Sequence, residues 1–245
     1  MSDHVLFGVF PYIAGASLVL VTLLRLSLLR ERARGVAGAR ASFLPRMPRT
    51  VGGWLCACGL IGLAGGHVLL LAFPDAVRAW TQASSGLMIF EGVMFALGVL
   101  TLLGLLALTR VRLRDSAAGR TAMRLADVAL IGVLLVIVVS GLVMAAKYRW
   151  ASSWSLVTLT PYVHSVLRFD PRLDLLATQY LVKLHVFSSF AFVALLPFTS
   201  AIDLLLALGS RMLDIAFAPF RGRARQLHAW VDQRGRQLVW PEEED

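Results

Sequence analysis

Charge is scarce in this chain of 245 residues: only 16% are Asp, Glu, Lys or Arg, against 58% hydrophobic, and the mean hydropathy is +0.72. Soluble domains carry roughly 25% charged residues, so this composition excludes a soluble enzyme and a disordered tail. There are only two cysteines, Cys56 and Cys58, two residues apart. Two thiols so close on one apolar helix cannot staple a fold, which excludes a disulfide scaffold. No further cysteine and no depth-matched histidine joins them, so they are not a metal site, and they read as small buried packing residues. Internal repeats and low-complexity tracts are missing, as are iron–sulfur and molybdenum-cofactor motifs. What is present is the signature of an integral membrane protein.

A bilayer crossing takes about 20 predominantly apolar residues as a helix. Five stretches qualify: Val5–Leu29, Val51–Phe73, Gly86–Leu108, Leu125–Ala146 and Leu181–Leu208. The first is too long for a signal peptide and ends in Arg30, Arg32 and Arg34, a stop-transfer pattern. The expected fold class is therefore all-α, a five-helix membrane bundle over 1–208 followed by a basic tail over 209–245.

The net charge of +9 and a pI near 10.7 invite a nucleic-acid reading. Sorting the 24 basic residues by segment removes it. Eighteen lie at or beyond one side, in Arg25–Arg49, Arg110–Arg124 and Arg211–Arg236; six lie on the other, namely Arg78, Lys147, Arg149, Arg168, Arg172 and Lys183. The positive-inside rule then sets the amino terminus outside and the carboxyl tail inside. Basic residues facing lipid headgroups account for the pI, so membrane lipids are the expected partners and no nucleic acid is needed.

Ionisable residues within spans are costly and mark function by default. The candidates are His67, Glu91, Asp127, His185 and Asp203. His67, in Gly65-Gly66-His67, lies about six residues, or roughly 9 Å, from the outer end of span two. His185, in Lys183-Leu184-His185, lies four to seven residues, or roughly 6–10 Å, from the same surface. Two histidines at one depth on different helices suit axial ligation of a haem held between the helices. Gly62, Gly65 and Gly66 would give a flat macrocycle room beside the backbone. The alternative is two histidines that hydrogen-bond to neighbouring helices or to each other. Asp127 reads as a helix-start carboxylate favoured by the dipole. Glu91 reads as a snorkelled or hydrogen-bonded carboxylate, with quinol proton acceptance as its functional alternative. His4, His164 and His228 read as surface residues.

The chain also resembles a known family, the gamma subunit (a cytochrome b) of membrane-bound respiratory nitrate reductase. The similarity is carried by Pro11-Tyr12-Ile13-Ala14-Gly15, Gly66-His67, Trp80, Phe90 with Gly92, and Ala126-Asp127. Ser165-Val166 with Phe169, Lys183-Leu184-His185 and Leu196-Pro197-Phe198 continue it, over about residues 8–205. The resemblance implies five spans in a bacterial inner membrane, with His67 and His185 as ligands of the outer haem b, and Gly66 beside it. It implies a quinone or quinol as redox substrate. Its partners would be iron–sulfur or molybdenum catalytic subunits, or a periplasmic cytochrome. The family's inner haem uses histidines at two further positions, which here are Ala57 and Asp203; neither supplies an imidazole, so one haem is expected. The family's lysine before span three is likewise missing from 81–86. A membrane anchor without redox activity is the competing reading. A transporter would need inverted repeats, and no span pair repeats in that way.

Overall fold

The computed structural model describes residues 3–35, 50–118, 125–148, 151–176 and 179–202, with Leu205, Leu206, Gly209 and Phe217. Nearly all of these belong to one compact unit, spanning 1–41 and 46–202; 42–45 and 203–245 form a second. The tail, His228 and Asp203 therefore lie outside the described part of the first unit.

Among the described residues there is no strand. Helix α1 (Phe10–Gly35) follows a wider π-type turn over His4–Val9, α2 is Val51–Ala72, α3 Pro74–Thr81, and α4 Ser84–Ala117. Helix α5 is Leu125–Lys147, α6 Ala151–Val157, α7 Leu159–Leu167 and α8 Tyr180–Leu195. Five of them, bounded as His4–Leu28, Val51–Ala72, Ser84–Arg114, Leu125–Lys147 and Tyr180–Phe198, are long and apolar enough to cross a membrane. The five-helix expectation holds, and the first four spans agree with it to within a few residues.

The fifth does not run to Leu208 as one helix. After Leu195 the chain tightens into a 3₁₀ turn, Leu196–Phe198, and Thr199 is extended. Pro197 is the cause: it has no N–H to continue the ladder and its ring obstructs the preceding turn. The carbonyls freed there find a cation. Arg25 of α1 donates Nη1 to the carbonyls of both Pro197 and Thr199 at 2.9 Å. From α5, Asp127 accepts the Ser200 backbone N–H at 2.8 Å and its hydroxyl at 3.1 Å. Asp127 is thus more than a helix-start carboxylate, since it also caps the chain beyond the break.

The helices pack in the order α2, α4, α5, α8, α1, while α2 and α8 are not packed neighbours. Lipid tails offer no hydrophobic drive between helices, so close approach of small residues does the work. At the α2–α4 contact a Cβ added to Gly104 would come 2.8 Å from Cys56 Cα and Gly52 O. One added to Gly59 would come 2.9 Å from the Thr101 N. Cys56 is buried in this contact, but Cys58 is exposed on the opposite face, which corrects the expectation that both are buried.

The end of the bundle bearing the amino terminus carries a cap built between the spans: α3, α6, α7 and a 3₁₀ turn, Leu173–Leu176. Its core joins Phe7, Met144, Tyr162, Val166, Leu176, Val182 and Val186. Tyr162 is fully buried, and its hydroxyl donates to the Phe7 carbonyl at 2.7 Å. Burial, with Tyr12 nearby, pushes its phenol well above the ordinary 10.0.

Candidate functional site

Helix α2 starts where Thr50 accepts the Gly53 N–H and stops at Phe73, where Pro74 opens α3. That register sets His67 near the capped end, and α8, opening after the extended Gln179, sets His185 near its own start. The two imidazoles meet: their ring centroids are 6.4 Å apart and their planes 21° from parallel. His67 is exposed on the flank of α2, towards the side that α2 and α8 leave unpacked, and His185 is half-buried.

Each ring is oriented through Nδ1. His67 Nδ1 is 2.7 Å from the Leu63 carbonyl one turn back on its own helix. His185 Nδ1 is 3.0 Å from the Ser140 hydroxyl and 3.1 Å from the Ile137 carbonyl, both on α5. A carbonyl can only accept, so each Nδ1 carries its hydrogen and each Nε2 presents a lone pair. An imidazole with its far nitrogen hydrogen-bonded and its near one open is the usual arrangement of a metal ligand. Among the described residues no group of three or more His, Cys, Asp or Glu side chains is gathered, so the arrangement suits a ligand pair and not a protein-built cage.

Two of the glycines lie at the α2–α4 contact. Gly66 is buried against Met94 of α4, whose Cε an added Cβ would approach to 2.8 Å, and Gly62 meets Leu97 in the same way. Both therefore bring α2 close to α4. Gly65 has free space beside it, but two helical residues from His67 point about 200° apart. The glycine that makes room is one the sequence reading missed: a Cβ on Gly141 of α5 would lie 3.2 Å from His185 Cε1. Ser140-Gly141 did leave a signal, because Ser140 is the one hydroxyl residue in Leu125–Lys147.

None of the other described candidates joins the pair in a group that could hold a metal ion. His4 is exposed as expected. His164 is half-buried, not on the surface: its Nε2 donates to the Leu71 carbonyl at 2.8 Å, while Thr160 donates to Leu70 at 3.2 Å. These two α7 side chains satisfy carbonyls that the end of α2 leaves open. Glu91 is half-buried on α4, and Ala57 is half-buried on α2. At the start of α8, Lys183 bonds Asp3 at 2.6 Å and ties that helix to the amino terminus.

Residues 3–209 match the family model described as nitrate reductase gamma subunit. No curated protein matches the chain. With well over half its length matched and five helices able to cross a membrane, the chain belongs to the nitrate reductase gamma subunit family and is a multi-pass membrane subunit.

Proposed function

We propose that this subunit is a one-haem cytochrome b, which His67 and His185 would hold, and that it carries electrons between the quinol pool and the redox subunits of its complex. The observation that carries the reading is the 6.4 Å separation of the two rings. That separation would leave room for a metal ion between the two imidazoles at ordinary metal–nitrogen distances of about 2 Å. The residues on hand fit the group: both Nδ1 atoms are engaged by acceptors, and α2 and α8 are left unpacked where the pair faces.

A bound haem supplies one-electron transfer, which lets a two-electron quinol be oxidised stepwise. This chain's contribution is to hold each imidazole in the ligating tautomer and to set the pair within the apolar bundle, where exclusion of water tunes the potential. With Ala57 where the family has an inner ligand, the relay within this chain ends at one centre near the capped end. The distribution of basic residues supports a capped end that faces outward and a tail on the cytoplasmic side of a bacterial inner membrane. An electron partner on the outer side, such as a periplasmic cytochrome or iron–sulfur subunit, then reaches the centre more directly than a cytoplasmic one.

The test is a pyridine haemochrome assay on the detergent-purified protein, with haem counted per polypeptide. One haem b per chain, lost in His67→Ala and in His185→Ala, is the expected result. No b-type bands in the wild type, with the complex still assembling, would leave a membrane anchor instead. Two haems per chain would refute the single-centre reading.

A further inference from the structure

The two histidines are held in different ways. His67 leans on a carbonyl of its own helix, Leu63, so its anchor moves with it. His185 is held from another helix, by the Ser140 hydroxyl and the Ile137 carbonyl of α5. Ser140 is buried, and its hydroxyl donates to that same Ile137 carbonyl at 3.0 Å. The hydroxyl hydrogen is therefore spent on Ile137, and the oxygen faces Nδ1 as an acceptor. One ring N–H is shared between two acceptors that are themselves hydrogen-bonded to each other. Gly141, next in sequence, leaves just the clearance that lets the ring sit there, with its missing Cβ site 3.2 Å from Cε1.

We infer that Ser140 is a positioning residue for His185: it fixes the ring's rotation and strengthens its electron donation, so that α5 tunes the centre from the His185 side alone. The inference rests on the haem reading above. An acceptor on Nδ1–H gives the imidazole more anionic character and makes it a more basic ligand. That favours the ferric state and holds the potential low. Loss of the Ser140 oxygen leaves Ile137 as the single acceptor, weakens the donation and raises the potential. It also frees the ring to turn about its bond axis, away from the 21° it now makes with His67.

The experiment compares wild type, Ser140→Ala and Ser140→Thr as the full-length chain in its complex. Haem per polypeptide, midpoint potential and the ferric electron paramagnetic resonance signal, which reports the angle between the imidazole planes, are read for each. The expected result is full haem in all three, with a positive shift in potential and an altered signal in Ser140→Ala, and both restored in Ser140→Thr. Haem lost from Ser140→Ala but kept in Ser140→Thr also supports the inference. Full haem in Ser140→Ala with wild-type potential and signal overturns it while leaving the haem reading intact. Equal loss of haem in both variants overturns it as well, since the site would then be one of packing. A wild type without b-type bands overturns both readings together.

Discussion

Helix α2 is two helices in its chemistry. Over Gly52–Gly59 it lies backbone to backbone against α4, and Gly52, Cys56 and Gly59 on one side with Gly104, Ala107 and Thr101 on the other leave no room for anything between them. Over Gly62–His67 it still rests on α4, through Leu97 and Met94, but its flank brings the His67 imidazole to that of His185 on α8. The half that carries Ala57 is the half closed by direct contact. The half with the histidine pair ends at the cap of short helices, whose Thr160 and His164 bond the Leu70 and Leu71 carbonyls. One half derives its rigidity from helix contact and the other from hydrogen bonds to what surrounds it.

The sharpest way to break this contrast is to add a side chain to the closed half. Gly104→Val sets a Cβ 2.8 Å from Cys56 Cα and Gly52 O, both backbone atoms that cannot step aside. The expected cost is about 3 kcal/mol or more, at the upper end for overpacking. In a thermal or SDS unfolding titration the variant should melt far below wild type or fail to assemble. Gly65→Ala is the matched control, since nothing lies within 4 Å of that position. It should gain a few tenths to about 1 kcal/mol from helix propensity. Equal behaviour of the two would dissolve the distinction between the halves.

Arg25→Met comes next. Two carbonyls at the Pro197 break lose their charged donor, and bonds to charged groups contribute about 1.5–3 kcal/mol. A loss of about 2–3 kcal/mol is expected, with Arg25→Lys recovering only part because one ammonium lacks the planar fork. A loss under about 0.5 kcal/mol would mean that the break needs no clamp.

Arg25 also shows what sequence could and could not reveal. In the chain it is one more arginine near the end of the first apolar run. Its partners lie more than 170 residues away, and no periodicity carries that distance. The spans themselves were legible because hydrophobicity over 20 residues is a local property. The histidine pair was legible because depth follows from residue count along two helices. Which side of α2 each glycine faces was not, since Gly62 and Gly66 turn towards α4 by packing that the sequence does not encode locally. The cap helices α3, α6 and α7 are too short to stand out from loops by length alone, and Pro74 was the clearest hint of one.

The cap supplies the next test. Tyr162→Phe leaves the buried Phe7 carbonyl without its donor, an expected loss of about 1–2 kcal/mol at neutral pH. The phenol adds a pH signature. Its folded value is raised above 10.0 by burial first and by Tyr12 second. Stability from this group is therefore fully present below pH 10 and declines as pH rises beyond it, where only the unfolded chain ionises readily. Wild type should lose stability more steeply than Tyr162→Phe between neutral pH and strongly alkaline pH. Parallel curves would show that Tyr162 is not sealed in the cap.

The smallest effect is the most diagnostic of how the cap is built. Helix α7 ends in a paired turn: Asp170 N–H bonds the Ser165 carbonyl and Phe169 N–H bonds Val166. Phe169 therefore occupies the left-handed position, with φ 62°, that glycine normally takes. A side chain there costs roughly 1–2 kcal/mol. The ring recovers some of that by stacking on Tyr12 at 5.4 Å and 8°, worth about 0.5–1.5 kcal/mol, while the Tyr12 hydroxyl donates to the Val166 carbonyl. Phe169→Gly gives up the stack and the strain together, so its stability should lie within about 0.5 kcal/mol of wild type. Phe169→Ala gives up the stack and keeps the strain, and should fall about 1 kcal/mol below wild type. The expected order in a melting experiment is wild type and glycine together, alanine lowest. Alanine at or above glycine would mean that the turn does not store strain.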